Sequence, residues 1–147
     1  MKQQHVQNTS EKINARIRAS GLRCTRARLS VFKLLLEATS PLSHAEVADA
    51  LVAQGFDRAT VYRNLIELTD AGLVSRIELG DRIWRFELRR KAAGGASDHP
   101  HFVCVACGEV SCLPSVQVKI TPAPGSKASA IGEVTEVLLK GRCEKCA

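Results

Sequence analysis

Residues 57–88 read DRATVYRNLIELTDAGLVSRIELGDRIWRFEL, and within them the hydrophobic period changes once. Val61, Leu65 and Leu68 recur at helical spacing, from a start near Asp57 to Thr60 until Gly72 closes the segment. From Leu73 the period becomes two. It runs through Leu79, a turn at Gly80-Asp81, and Arg82 to Leu88, where Trp84, Phe86 and Leu88 share one face. The stretch therefore predicts a helix followed by a β-hairpin.

Working upstream, Ser43-His-Ala-Glu46 has the form of a capping box for a helix that buries Val47, Ala48 and Leu51 and stops at Gly55. Thr25 can cap an earlier helix with Leu29, Phe32, Leu35 and Leu36 on one side, ended by Thr39-Ser40-Pro41. Asn8-Thr9-Ser10-Glu11 offers capping oxygens for the first, which carries Ile13 and Ile17 inward and ends at Ser20-Gly21. Short helices followed by a two-stranded wing are the winged form of the helix-turn-helix. In that form the last helix enters the major groove and the wing lies along the backbone.

Charge points the same way. Residues 1–36 carry Lys2, Lys12, Arg16, Arg18, Arg23, Arg26, Arg28 and Lys33 against the single acid Glu11, whereas the whole chain of 147 residues has a net charge of +6. A basic cluster confined to one end is the footprint of a phosphate-backbone binder, because each neutralised phosphate releases condensed counterions. With 45% apolar and 24% charged residues the chain has a globular mix. It has no apolar run near the roughly 18 residues that a membrane span needs, and no greasy leader. A cytoplasmic protein without membrane partners is expected, and in a reducing compartment six cysteines favour metal or redox chemistry over structural disulfides.

From Arg89 the texture changes to Arg-Arg-Lys-Ala-Ala-Gly-Gly-Ala-Ser, which has no hydrophobic anchor. The expected organisation is a winged-helix domain at 1–88, a hinge at 89–98 and a second domain at 99–147, with the second unit beginning near Asp98. That unit is too short for a strong core of its own and needs a metal or a partner chain. Cys104-Val-Ala-Cys107 and Cys143-Glu-Lys-Cys146 supply the means. Two knuckles of this spacing present four thiolates, the tetrahedral set of a closed structural zinc site, and Gly108 lets the backbone turn back under the metal. Arg142 and Lys145 would offset the local negative charge. Cys24 and Cys112 are left over and read as small buried or half-buried residues, with contact of Cys112 to a metal or an oxidant as the alternative.

His99-Pro100-His101 precedes the first knuckle, and Glu87 ends the wing strand. Two imidazoles and a carboxylate can bind a more exchangeable divalent ion such as iron, manganese, cobalt or zinc. His44 is either a fourth ligand or a surface residue at a helix start. An ion bound at such a hinge would act as an effector, shifting the population toward a form that matches DNA.

Gly21-Leu-Arg-Cys-Thr-Arg-Ala-Arg28, Ser43-His-Ala-Glu-Val47, Ala59-Thr-Val-Tyr-Arg-Asn-Leu65, Ala71-Gly-Leu-Val74 and His99-Pro-His-Phe-Val-Cys-Val-Ala-Cys-Gly108 together resemble the ferric uptake regulator family. The resemblance covers nearly the whole chain. It implies an α+β homodimeric, metal-responsive repressor with an N-terminal winged helix-turn-helix domain and a small C-terminal α/β dimerisation domain. The structural zinc would sit on Cys104, Cys107, Cys143 and Cys146, and the regulatory metal on Glu87, His99 and His101. Tyr62 and Arg63 would lie on the recognition helix with Thr60 and Asn64 nearby, while Arg23, Arg26 and Arg28 position the DNA backbone and Arg82 reaches it from the wing.

The sequence departs from the family in two places. The histidine usually found just ahead of the capping serine is replaced by Pro41 or Leu42. Between Leu113 and Leu139, Pro114, Pro122, Pro124 and Gly125 interrupt the helix that members normally carry, and Val116-Gln-Val-Lys-Ile120 alternates like a strand. Glu87, where peroxide sensors tend to carry Asp, leans toward metal sensing. The alternatives are a zinc-stabilised DNA binder without sensing, or a peroxide- or zinc-sensing member. A redox enzyme is disfavoured, since four thiolates leave no open coordination position and no nucleophile–base pair is recognisable. No small organic substrate is expected.

Overall fold

The computed structural model describes residues 2–89, 99–126, 131–132 and 134–147, with side chains described from residue 9. The chain divides into two units, Met1–Arg89 and Arg90–Ala147. The expected hinge, Arg89 apart, and Asp98 fall outside the described residues.

The first unit runs α1 (Lys2–Ala19), α2 (Arg26–Glu37), β1 (Leu42–Ser43), α3 (His44–Leu51), a 3-10 turn (Val52–Gln54), α4 (Arg58–Asp70), β2 (Val74–Glu78) and β3 (Trp84–Leu88). Its helix starts follow the capping chemistry. The Thr25 hydroxyl accepts from the Arg28 N–H at 3.2 Å. Ser43 and Glu46 close a reciprocal box, the serine oxygen accepting from the Glu46 N–H at 3.2 Å and the carboxylate from the Ser43 N–H at 2.7 Å. Asp57 accepts from the Thr60 N–H at 2.7 Å. Helix α4 ends at Gly72, whose φ of 75° is left-handed and lets the Leu73 N–H return to the Leu68 carbonyl.

Helix α1 corrects the expected start at Asn8 to Glu11, for it begins at Lys2. No proline or glycine stands between Lys2 and Asn8, and extending a helix already nucleated costs little. Ile13, Ile17, Val31, Phe32, Leu35, Val47, Leu51, Val61, Leu65, Leu68 and Phe86 form one apolar core. Leu36, expected inside, is 46% exposed. Helix α2 instead buries positions 28, 31, 32 and 35, a stripe that 100° steps carry away from residue 36.

β1, β3 and β2 form an antiparallel sheet in that order, with Leu42 opposite Phe86 and Glu78 opposite Trp84. The two-residue β1 is too short to carry an alternation signal. On the shared face Phe86 is buried, while Trp84 near the wing tip is exposed beneath the Arg76 guanidinium, 4.2 Å from the ring centroid. The wing turn is tied by Glu78, which accepts from the N–H groups of Gly80 and Arg82 at 2.7 and 2.9 Å.

In the second unit β4 (His101–Cys104) lies between β5 (Val110–Cys112), antiparallel, and β6 (Leu138–Gly141), parallel. Strands are its regular structure among the described residues. No helix occurs among those between Leu113 and Val137, as the prolines imply. The run Val116–Ile120 is not a strand either, which corrects the reading from alternation. Both edges of β4 are already paired, Pro114 and Pro122 bracket the run, and Val116, Val118 and Ile120 are exposed.

Candidate metal centres and nucleic-acid interface

The four knuckle cysteines meet because of how β4 and β6 end. Cys104 closes β4 and stands opposite Gly141, so β6 delivers Cys143 and Cys146 directly beside the first knuckle. The turn after Cys104 is closed by the Gly108 N–H on the Cys104 carbonyl at 2.8 Å, with Gly108 at a φ of 74° that other residues rarely adopt. All four sulfurs lie within 4.8 Å of one another. Cys107 and Cys143 Sγ are 3.9 Å apart. That is far beyond a disulfide bond and close to the roughly 3.8 Å edge of a tetrahedron with zinc–sulfur bonds of about 2.3 Å.

The electrostatics of the cluster call for a cation. Backbone N–H groups of Cys107 and Cys143 lower the Cys104 thiol to about 6. Although the Glu109 backbone N–H favours a Cys107 thiolate, the hydrogen bond with Cys104 and partial desolvation push that thiol up. The side chains of Cys143 and Cys107 push Cys146 up to about 12. Sulfurs this close cannot all ionise alone, and a divalent ion removes the conflict. The donor set fits zinc. Lys145 lies 3.7 Å from Glu109 in an exposed pair that adds little.

A second group forms in the same unit. His101 is fully buried and His99 is 9% exposed, their rings tilted at 52° with centroids 4.8 Å apart. Cys112, left over in the sequence reading, joins them, with its sulfur and the imidazole nitrogens all within 4.8 Å of one another. A signal for it existed. The turn that carries the first knuckle folds the chain back so that residue 112 stands opposite residue 101. Glu87 lies on β3 opposite Ser75 and is half-buried. His44 begins α3, where its Nε2–H donates to the Arg58 carbonyl at 2.9 Å and its ring meets Tyr62 edge-on at 5.2 Å. Cys24 is half-buried, its thiol 3.4 Å from the Asn14 carbonyl.

The nucleic-acid residues divide into two sets. Tyr62 and Arg63 are exposed on α4, on the side away from buried Val61, Leu65 and Leu68. Arg23 and Arg26 are exposed too, Arg26 over the Phe56 ring. Arg82 projects from the wing turn with a φ of 61°, uncommon for a side-chain-bearing residue. Thr60 is half-buried with its N–H on the Asp57 cap. Arg28 and Asn64, expected near DNA, are corrected. Arg28 is buried, paired with Glu67 and donating to the Arg23 carbonyl at 2.6 Å. Asn64 is buried and donates to the Thr60 carbonyl at 2.9 Å, because its position on α4 falls beside the core stripe. No described helix is long and apolar enough to cross a membrane.

A winged helix with a cationic outer face, in one chain with a four-thiol cluster, defines a metal-binding regulator of the DNA-binding class. The sequence profile of the ferric uptake regulator family matches residues 19–125. The ferric uptake regulation protein of Bacillus subtilis (strain 168) is 33% identical over 108 residues, 71% of each chain. The transcriptional regulator FurA of Mycobacterium bovis is 31% identical over 140 residues, 89% of this chain and 87% of its own. The solved structure of the Vibrio cholerae ferric uptake regulator matches with a TM-score of 0.64 and 25% identity, covering 88% of this chain and 98% of that one. The chain belongs to the ferric uptake regulator family, and is a metal-responsive transcriptional repressor of that type.

Proposed function

We propose that this protein binds a palindromic operator as a homodimer when a second divalent ion joins a permanently held zinc. Cys104, Cys107, Cys143 and Cys146 hold the structural zinc. His99 and His101 hold the regulatory ion, with Glu87 as a carboxylate ligand on the strength of the family likeness and of donor chemistry. The ion acts by differential affinity: it shifts the population only as far as it binds the DNA-competent form more tightly than the other.

On the DNA side, Arg63 clamps phosphate or reads a base edge and Tyr62 packs on bases, while Arg23, Arg26 and Arg82 engage the backbone, with Thr60 at the start of the recognition helix. The observation that carries the reading is the pairing of two buried imidazoles with a separate, closed four-thiol cluster in one small unit. A merely zinc-stabilised DNA binder needs only the second of these.

The test is an anaerobic titration of the full chain, already holding one zinc, with iron(II), manganese(II) or zinc(II), reading bound metal and operator affinity together. Operator affinity that rises with the second equivalent, and a His99→Ala/His101→Ala double variant that keeps its zinc but no longer responds, are expected. Equal affinity with and without the second ion would overturn metal control.

A further inference from the structure

Cys112 stands directly opposite His101 in the antiparallel β4–β5 pair. Side chains so placed leave the sheet on the same face, with Cβ atoms about 4.5–5.5 Å apart. His99 reaches the same spot from just ahead of the strand, its ring against that of His101. The three donor atoms therefore lie within 4.8 Å of one another. Two donors on one tetrahedral zinc are about 3.3–3.8 Å apart, so small rotamer changes would bring all three onto a single ion. Burial is a second, independent observation. Fully buried His101 and 9% exposed His99 occupy interior space that a small unit ordinarily fills with apolar groups.

We propose that Cys112 is a ligand of this second centre, which thus offers two imidazoles and a thiolate and takes zinc or cobalt(II) in preference to manganese. This rests on the reading of His99 and His101 as regulatory ligands. Thiolate is a soft donor that suits zinc, whereas carboxylate and water suit manganese, and imidazole serves both kinds of site. A sulfur among the donors therefore changes which ion is read while leaving the position of the centre alone. Coordination releases the thiol proton to solvent.

The experiment uses the full chain with one zinc in the four-cysteine cluster, titrated anaerobically with cobalt(II) alone while bound zinc is monitored. A second metal equivalent should bind with zinc content constant and bring a sulfur-to-cobalt charge-transfer absorption in the near ultraviolet. Cys112→Ser should lose that absorption. Cys112→Asp should bind cobalt without it, and lower the preference for zinc over manganese by about tenfold or more. If the wild-type chain binds a second cobalt without the absorption, or Cys112→Ser keeps it, Cys112 is not a ligand and the proposal falls while the histidine reading stands. If no second equivalent binds, or His99→Ala/His101→Ala still binds it, the reading itself falls and takes the proposal with it.

Discussion

The two units of this chain exclude different things from water. In the first, the most deeply buried side chains include Ile17, Val31, Phe32, Leu65, Leu68 and Phe86, each at most 1% exposed. In the second, the buried residues among those described are His99, Pro100, His101 and Cys104. A winged helix of this kind coheres by apolar burial, worth about 1.5–3 kcal/mol for each large side chain. Among its described residues the second unit has no comparable core, and its four thiols offer another source of stability, since structural zinc can supply about 10–16 kcal/mol at neutral pH. Cohesion thus rests on apolar packing in the first unit, whereas the described interior of the second is made largely of metal-donor side chains.

The largest expected effect breaks the second unit alone. Cys104→Ser, or a strong chelator, should abolish amide protection in β4 to β6 while leaving helices α2 to α4 protected in hydrogen exchange. Unchanged protection in β4 would contradict a metal-built unit.

The same cluster sets a pH limit. Cys104 titrates at about 6 against an ordinary 9.0, so its thiolate stabilises the folded knuckle fully above pH 9, and that contribution is lost as pH falls through about 6. Zinc release on acidification, followed with an indicator dye, should centre at or below about pH 6, with retention at pH 8.

The converse change belongs to the first unit. Leu65→Ala should cost about 2–5 kcal/mol in urea unfolding of the winged helix with the zinc still bound. Loss of zinc in that variant would mean that the units are not separable.

Arg63→Ala should weaken operator binding by about tenfold or more and reduce the salt slope by about one, with the fold intact by circular dichroism. An unchanged salt slope would remove Arg63 from the phosphate contacts. The smallest effect is Ser43→Ala, which opens the capping box and should destabilise the winged helix by about 1 kcal/mol without touching metal content.

Local chemistry was readable before any fold was known. Thr25, the Ser43–Glu46 box, Asp57 and Gly72 each act within four or five residues of themselves, so their roles are written in neighbouring letters. The knuckle spacing was readable for the same reason, since two thiols with two residues between them can reach one ion from a single turn. Where partners come from far along the chain, reading failed. Nothing near Arg28 announces Glu67 as its partner, and alternation at Val116–Ile120 could not reveal that β4 already had both its neighbours. Asn64, expected near DNA, was misread for a local reason, since it stands between Val61 and Leu65 on the buried stripe of α4.

The order of amino acids by itself determined the winged helix, the thiol cluster and the histidine pair, because each is specified by periodicity or by short-range spacing. Strand register was left to tertiary structure, and register alone set Cys112 against His101 and Gly141 against Cys104. Hydrogen bonding between strands chooses which side chains share a face, and that choice made a leftover cysteine part of a candidate metal centre.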